Sequence, residues 1–242
     1  MKRGLTSSGT TRTHPSQVMK EAEEFGFARR IDIVVRDMTM NVLTDRGETP
    51  YPCLCRGEGY YLKRLLPEDV TETYVRWLQD EEVVHYLQVR FEAHDLESTR
   101  RYVAGFDHRD NFIFAIHDAR TDRYIGNVTL RVNPIHLWAN FGYMIGDKSY
   151  WSTGAALGAV RLLLDFAFFE RQIRKILEIT TENHIASNFN FRRLGFTLAA
   201  KIPDLYWGEG RYRAGVWWTM DAATWAEMRG REVPQHAVPN RP

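Results

Sequence analysis

The segment Trp151 to Gly158 combines hydroxyl side chains, alanines and two glycines, in the order Trp-Ser-Thr-Gly-Ala-Ala-Leu-Gly. It follows a predicted strand and opens a predicted helix with one apolar face. Backbone N–H groups at a helix start carry about half a positive charge, so small side chains there favour an anion such as a pyrophosphate. A second interpretation stays open, because Gly154 and Gly158 lie one turn apart and would let the helix pack closely against a sheet.

Other signatures of chemistry are missing from the sequence. The chain has no Gly-x-x-x-x-Gly-Lys-Ser/Thr loop, no Gly-x-Ser-x-Gly turn and no His-Glu-x-x-His pattern, which excludes P-loop kinases, esterases of that type and zinc proteases. The two cysteines, Cys53 and Cys55, are too close for a comfortable disulfide, and no second Cys/His pair completes a zinc site. We therefore expect reduced thiols, no bound metal and a cytoplasmic location.

The composition is that of one globular domain with at most a small extension: 242 residues, 44% hydrophobic and 26% charged. Lys and Arg together number 32 and Asp and Glu 31, so no overall charge attracts the chain to nucleic acid or to anionic membranes. The most apolar stretch, Leu157 to Phe169, is interrupted by Arg161 and Asp165 and is shorter than the ~20 residues that a membrane helix needs. We expect neither a nucleic-acid nor a membrane partner.

Residues 1–57 have the composition of an N-terminal extension that is partly disordered. Met1 to Gln17 is polar, Val18 to Phe27 has the pattern of a short helix, and Ile31 to Val35 has that of a short strand. Prolines and glycines between Glu48 and Gly59 indicate a linker. We place a compact domain at residues 58–229 and a flexible tail at residues 230–242.

Aromatic and β-branched runs alternate with helical patterns inside this domain. Strands are predicted at Gly59–Leu65, Phe112–His117, Tyr124–Val132, His136–Ile145, Lys175–Thr181, Phe196–Ile202 and Arg211–Met220. Helices are predicted after Pro67, over Leu96–Phe106, from the Trp151 segment onward and around Ser187. These elements indicate an α+β fold with a mixed, mostly antiparallel sheet of about seven strands and helices on both faces.

Four motifs follow one another along the domain: Tyr143-Met144-Ile145-Gly146, the Trp151 segment, Ser187, and Leu194-Gly195-Phe196. Their order resembles the GNAT superfamily of acyl-CoA-dependent N-acyltransferases, closest to the group that acetylates ribosomal-protein N-termini and amino sugars. The resemblance covers about residues 58–220. In the pyrophosphate loop of that family, Gln or Arg is followed by two residues, Gly, one residue, and Gly or Ala. Gly154 and Ala156 match this pattern, whereas Trp151 stands in place of Gln or Arg.

The resemblance implies a site for acetyl-CoA, as co-substrate, in a gap where two strands splay apart. The pantetheine arm would pair with main-chain groups of Tyr143, Met144 and Ile145, as an added β-strand would. The pyrophosphate would rest on the N–H groups of Ser152, Thr153, Gly154, Ala155 and Ala156. Ser187 would lie near the pantetheine arm or the departing sulfur.

Two positions depart from the family pattern. His184 stands where the family has an asparagine that binds the pantetheine arm, and Asn183 precedes it, so either side chain could take that role. A neutral imidazole offers one donor and one acceptor, so His184 replaces the amide, carries protons, or is a loop histidine without a role. Phe191 stands where many members have a tyrosine that protonates the thiolate, which leaves that role vacant or moved.

An amine must lose a proton of pKa about 8 to 10 before it attacks a thioester, so a base is expected. The usual carboxylate of the family falls at Asn140, which cannot accept the proton. Glu182, just after the strand on the other side of the splay, is the main candidate, and with His184 and Ser187 it forms the predicted catalytic set. Weaker candidates, whose direction the sequence does not fix, are His136, Glu178 and Tyr206.

The resemblance implies an N-acetyltransferase that moves an acetyl group from acetyl-CoA to a primary amine by direct attack in a ternary complex. The acceptor is an amino sugar, another small amine or a protein N-terminus. Tyr206 and Trp207, beside the Gly208-Glu209-Gly210 turn, offer either a sugar-stacking surface or core packing, and the frequent aspartate of the last strand falls at Ala214. The alternative is a non-catalytic GNAT-fold protein that binds acyl-CoA as a sensor or interaction module. The chain is either a monomer or a homodimer.

Overall fold

Residues 55–233, the part of the chain that the computed structural model describes, contain an eight-stranded sheet. Its strands are β1 (Cys55–Gly57), β2 (Tyr60–Arg64), β3 (Asn111–Asp118), β4 (Tyr124–Asn133), β5 (Trp138–Ile145), β6 (Lys175–Thr181), β7 (Thr197–Gly208) and β8 (Arg211–Asp221). They lie in the order β1-β2-β3-β4-β5-β6-β8-β7, and each neighbouring pair is antiparallel except β5 and β6. The predicted α+β fold and its mixed, mostly antiparallel sheet are confirmed, and the short β1 brings the strand number to eight.

Helices cover both faces of this sheet, as the sequence predicts. They are α1 (Glu72–Gln79), α2 (Glu81–Val84), α3 (Leu96–Ala104), α4 (Ala155–Asp165), α5 (Ile185–Arg193) and α6 (Ala222–Arg229). The alternation of side chains along β3 shows the two faces. Phe112 and Phe114 belong to an apolar cluster with α4, α5 and α6, whereas Ile113 and Ala115 belong to a second cluster with α1 and α3.

Strands β5 and β6 diverge soon after they begin. They are parallel and pair only at Trp138 with Lys175 and at Ala139 with Ile176. Beyond these residues β5 keeps its antiparallel ladder to β4, and β6 keeps its ladder to β8. The edge of β5 that faces β6 is therefore left open along most of its length, which is the splay that the resemblance to the GNAT superfamily implies.

Besides the additional elements β1 and α2, two predicted elements have different bounds in the structure. The helix expected after Pro67 splits into a 3-10 turn at Pro67–Asp69 and helix α1, because Val70 between them has an extended backbone (φ −70°, ψ 120°). Strand β7 runs to Gly208 instead of ending at Ile202. Its pairing with β8 shifts register between Ile202 and Tyr206, around Pro203, but β7 is the outer strand of the sheet, where a missing N–H is tolerated.

Several predicted features fall at the ends of the chain. The helix Val18–Phe27, the strand Ile31–Val35 and Cys53 lie outside the described residues, as do residues 234–242. Helix α6 ends at Arg229, where Gly230 adopts a left-handed conformation (φ +60°) that few other residues reach easily. Within residues 55–233, no helix is long and apolar enough to cross a membrane.

Candidate active site

A cavity of about 590 Å³ opens where β5 and β6 separate. One wall is formed by β4, β5 and β6, and the others by α1, α3, the segment between them and the start of α5. Among the predicted site residues, the side chains or main chains of Tyr143, Met144, His184 and Ser187 line it. Phe141, Glu178 and Tyr206 contribute to the same lining. The splay therefore leads into a partly open cavity where groups from four strands and three helices converge.

Glu178 is the buried acidic side chain in the lining of this cavity. It projects from β6, is 7% exposed, and accepts a hydrogen bond from the main-chain N–H of Phe141 on β5. Burial raises the pKa of Glu178 well above its ordinary value of 4.5, although hydrogen bonds from main-chain N–H groups partly oppose this shift. A carboxylate with a raised pKa is a stronger base than an ordinary one, so this side chain is suited to accept a proton.

The hydroxyl groups of Tyr143 and Ser187 meet on the opposite side of the gap. The Tyr143 Oη lies 3.3 Å from the Ser187 Oγ, and the Asn190 Nδ2 lies 3.4 Å from the same Tyr143 hydroxyl. Ser187 is 5% exposed and Tyr143 is half-buried, so bulk water reaches the pair mainly from the tyrosine side. Phe191, the next turn of α5, packs its ring among Phe141, Phe196 and Trp218 and offers no polar atom. The Tyr143 hydroxyl of β5 therefore contacts α5, the helix in which Phe191 replaces the tyrosine of many other family members.

The main chain of β5 presents alternate residues to the gap. The Phe141 N–H points to Glu178 on β6, whereas the Gly142 N–H donates to Thr129 Oγ1 on β4 at 3.1 Å. Because strand groups alternate, the main-chain groups of Tyr143 and Ile145 face the gap and those of Met144 face β4. The Ile145 carbonyl accepts a hydrogen bond from the Trp151 indole at 2.8 Å. The Tyr143 main chain is therefore directed toward the open edge.

The Trp151 segment forms an exposed turn before α4. Ser152 and Gly154 both have left-handed backbones, with φ of +62° and +91°, and Gly154 immediately precedes the first residue of α4. A Cβ added at Gly154 would meet no atom within 4 Å, whereas one at Gly158 would lie 2.6 Å from the Tyr60 ring. The two glycines thus have different roles: Gly158 permits close packing, and Gly154 permits the turn and leaves open space over the helix start.

His184 and Asn183 contact Tyr86, which comes from the segment between α2 and α3. The His184 and Tyr86 rings stack with centroids 4.1 Å apart, and the Tyr86 hydroxyl donates to the Asn183 carbonyl at 3.3 Å. Burial, with a smaller contribution from His85, lowers the pKa of His184 to about 4. The imidazole is therefore neutral near pH 7, which fits hydrogen bonding and stacking better than proton transfer.

Glu182 points away from the lining of this cavity. Its carboxylate lies 2.7 Å from the Lys201 Nζ on β7 and accepts a hydrogen bond from the Ala214 N–H at 3.2 Å. The hydrogen bond from Lys201 lowers the pKa of Glu182. Glu182 is therefore absent from the lining of the cavity, whereas His184, Ser187 and Glu178 all belong to it.

The remaining candidates divide between the cavity and the surface. Tyr206 lines the cavity, and burial raises the pKa of its hydroxyl. Asn140 also reaches the lining, but His136 lies exposed in the turn between β4 and β5. Within residues 55–233, no group of three His, Cys, Asp or Glu side chains is placed to hold a metal ion.

Comparison with protein families identifies the fold. Residues 61–197 match the family described as an acetyltransferase (GNAT) domain, which is more than half of the chain. The chain belongs to the GNAT acetyltransferases. It is therefore an acetyltransferase domain of a family that uses acetyl-CoA. A comparison with curated protein sequences finds no significant match.

Solved GNAT structures share the fold at low sequence identity. RimL, a ribosomal alpha-N-protein acetyltransferase in complex with coenzyme A, is 17% identical, with a TM-score of 0.61 over 69% of this chain and 97% of that one. Spermidine N-acetyltransferase from Vibrio cholerae, in complex with CoA and spermine, is 18% identical, with a TM-score of 0.62 over 70% and 99%. A GNAT acetyltransferase from Bacillus anthracis is 14% identical, with a TM-score of 0.59 over 69% and 96%.

We expect His184→Asn to keep most of the turnover, because an amide preserves one donor and one acceptor at this position. The pKa of about 4 also predicts that no ionisation of His184 shapes the pH–rate profile between pH 6 and 8. His184→Ala, which loses the stacking on Tyr86, should raise KM for acetyl-CoA several-fold. Initial rates across that pH range test both variants. An inflection near pH 6.5 in the wild type that disappears in His184→Asn would assign proton transfer to His184.

Proposed function

We propose that this chain is an N-acetyltransferase that moves an acetyl group from acetyl-CoA to a primary amine by direct attack in a ternary complex. The observation that carries the proposal is the buried Glu178 carboxyl in the gap between β5 and β6, inside a cavity large enough for a small acceptor. A proton acceptor at the open edge of β5 is the group that amine acetylation needs. We further propose a cytoplasmic location.

The residues around the gap fit acetyl-CoA, which would supply the activated acetyl group as a thioester. The N–H groups of Ser152 to Ala156 lie at a helix start with open space over Gly154, which suits a pyrophosphate; among them, the Thr153 N–H also donates to the Tyr150 carbonyl at 3.3 Å. The Tyr143 main chain faces the open edge and would pair with a pantetheine amide in the manner of an added strand. His184 and Asn183 lie where the arm would pass. These residues form the proposed cofactor-binding set, together with Ile145, Ser187 and Met144. The main-chain groups of Met144 face β4, so Met144 would contribute to the cavity lining and not to the pairing.

Glu178 takes the proton from the acceptor ammonium group, directly or through one water molecule, so that the neutral amine can attack the thioester carbonyl. When the C–S bond breaks, the sulfur leaves as a thiolate and needs a proton. Tyr143 and Ser187 present hydroxyl groups within 3.3 Å of each other beside the gap, and we assign the proton donor role to this pair. Glu182 remains a weaker candidate for the base, because its pKa is lowered by Lys201.

The proposal is tested by measuring thiol release from acetyl-CoA in the presence of amino sugars, free amino acids, N-terminal peptides and polyamines. We expect thiol release that depends on the acceptor, and an acetylated product with a mass increase of one acetyl group. Tight binding of acetyl-CoA without turnover on any acceptor would instead support a non-catalytic acyl-CoA sensor.

Tyr143→Phe is expected to lower kcat by about 10- to 100-fold. This loss is smaller than is typical for removal of a general acid, because Ser187 and water can partly replace the tyrosine hydroxyl as proton donor. KM for acetyl-CoA should change little, since the main chain of Tyr143 is retained. Tyr61→Phe is the matched control, because Tyr61 is a buried tyrosine whose hydroxyl bonds to Asp122 outside the cavity. Equal kcat for Tyr143→Phe and wild type would remove the tyrosine from the mechanism.

A further inference from the structure

The floor of the cavity on the side of α1 and α3 is a row of polar side chains on β4. Asn127, Thr129 and Arg131 lie at every second position, so they share one face of the sheet, and all three line the cavity. At ~3.3 Å per residue, the row is about 13 Å long. On β5, Asn140, Gly142 and Met144 pair with these residues and continue the floor toward the gap.

Asn127 has an unused hydrogen-bond donor in this floor. The residue is 4% exposed, and its Oδ1 accepts a hydrogen bond from the Tyr124 hydroxyl at 2.6 Å. Its Nδ2 is buried and makes no hydrogen bond of good geometry within the described part of the chain, although the Asn127 side chain also interacts with the Tyr74 hydroxyl. A buried amide N–H pair without a partner is unfavourable, so a ligand oxygen at this point would be stabilising.

Arg131 places a positive charge at the other end of the row. Its guanidinium lies 5.9 Å from the centroid of the Phe106 ring and interacts with the Tyr102 hydroxyl. Among residues 55–233, no carboxylate lies within ion-pair distance of Arg131. The acidic residues of the lining are the exposed Glu92 and the buried Glu178.

This distribution of charge is a poor match for a polyamine. A polyamine carries several positive charges, each of which needs a carboxylate or a carbonyl group nearby when it leaves water. In this cavity, Glu178 could pair with one ammonium group of a polyamine, and the exposed Glu92 with a second. Arg131 would repel any further ammonium group. The buried Asn127 Nδ2 donor and the exposed positive charge of Arg131 instead favour oxygen atoms on the acceptor.

We infer that the acceptor is an amine that carries carbonyl, carboxylate or hydroxyl oxygens and no second cationic group, and that Asn127 and Arg131 determine this specificity. The inference rests on the proposed function, because it places the amine at Glu178. Asn127 and Arg131 bind the body of the acceptor and take no part in proton transfer.

The acceptor class is tested by comparing kcat/KM for spermidine, a free amino acid, a short peptide amide and glucosamine, all of which have a primary amine. We expect the best oxygen-bearing acceptor to exceed spermidine at least tenfold. If the amino acid has a higher kcat/KM than the peptide amide, the acceptor oxygen is that of a carboxylate. If the peptide amide has the higher value, it is a carbonyl oxygen. If glucosamine has the highest value, the oxygens are those of hydroxyl groups. A higher kcat/KM for spermidine than for all three would overturn the inference.

Two substitutions test the residues themselves. Asn127→Asp keeps the side-chain shape and the bond to Tyr124 but removes both N–H donors, and we expect KM for the best acceptor to rise about tenfold while KM for acetyl-CoA is unchanged. Arg131→Glu should lower kcat/KM for oxygen-bearing acceptors and raise it for spermidine. Arg100→Glu, on the exposed side of α3, is the control for the same change in net charge.

The inference and the proposed function fail in different ways. If no acceptor supports thiol release, the proposed function is wrong. If turnover occurs but Asn127→Asp and Arg131→Glu both leave the acceptor KM and the ranking of acceptors unchanged, the specificity assignment alone is wrong.

Discussion

Replacing Glu178 with glutamine is expected to lower kcat by about 10²- to 10⁴-fold, the range typical for loss of a general base. Glutamine keeps the side-chain length and can still accept the hydrogen bond from the Phe141 N–H, so the gap between β5 and β6 should keep its shape. Binding of acetyl-CoA, measured by calorimetry, should be unchanged. The loss would therefore appear in kcat and not in cofactor affinity.

The pH dependence of the rate gives a second readout for Glu178. Its carboxyl must be ionised to accept a proton, and its pKa is raised well above 4.5 by burial, so kcat/KM in the wild type should rise with pH through an inflection above 4.5. Glu178→Gln should lack this inflection. A larger loss of rate in Glu182→Gln than in Glu178→Gln would return the role of base to Glu182.

The same substitution should stabilise the fold at neutral and higher pH. A buried carboxyl with a raised pKa binds a proton more tightly in the folded than in the unfolded state, so its favourable contribution is complete below pH 4.5 and is lost as pH rises through the folded pKa. Glutamine does not ionise, so the Glu178→Gln variant does not lose this stability at high pH. We expect the Tm of the variant to exceed that of the wild type by a few degrees at pH 8. The difference should vanish near pH 4. A lower Tm for the variant at pH 8 would contradict this account.

Gly154→Val is expected to weaken acetyl-CoA binding at least tenfold, which corresponds to about 1.4 kcal/mol. A β-branched residue rarely adopts φ +91°, and its methyl groups would occupy the open space over the N–H groups at the start of α4. Calorimetric titration with acetyl-CoA measures the effect in folded protein, which circular dichroism verifies.

Gly230→Val provides the matched control for this prediction. Gly230 also has a left-handed backbone (φ +60°) and open space around its Cβ position, but it caps α6 instead of α4. We expect a similar cost in stability and no change in acetyl-CoA affinity. An unchanged affinity in folded Gly154→Val protein would show that the Trp151 segment does not bind the pyrophosphate.

Much of the fold follows from the sequence because its signals are local. The alternation of strand and helix patterns was sufficient to predict a mixed sheet with helices on both faces, whereas the splay between two strands was implied by the resemblance to the GNAT superfamily. The helix after Pro67 and the end of β7 were predicted less well. The break in the helix depends on the extended backbone of Val70, which the apolar pattern does not reveal. The length of β7 depends on its outer position in the sheet, where Pro203 is tolerated.

The candidate site was harder to predict, because side-chain direction depends on tertiary pairing. Glu178 shares a strand face with the buried Ile176 and Thr180, and this alternation was a usable signal for its direction. Glu182 was favoured for its position after the strand, but its ion pair with Lys201 comes from β7, which the sequence does not place. The meeting of the Tyr143 and Ser187 hydroxyl groups likewise depends on how α5 packs on β5.

The most direct test of the central claim is a two-substrate initial-rate measurement with acetyl-CoA and the best acceptor. Direct attack in a ternary complex predicts double-reciprocal lines that intersect, with thiol release strictly dependent on the amine and no acetylated protein detectable by intact mass. Parallel lines with an acetylated form of the protein would contradict direct transfer. Saturable acetyl-CoA binding without amine-dependent thiol release would contradict the enzymatic role itself.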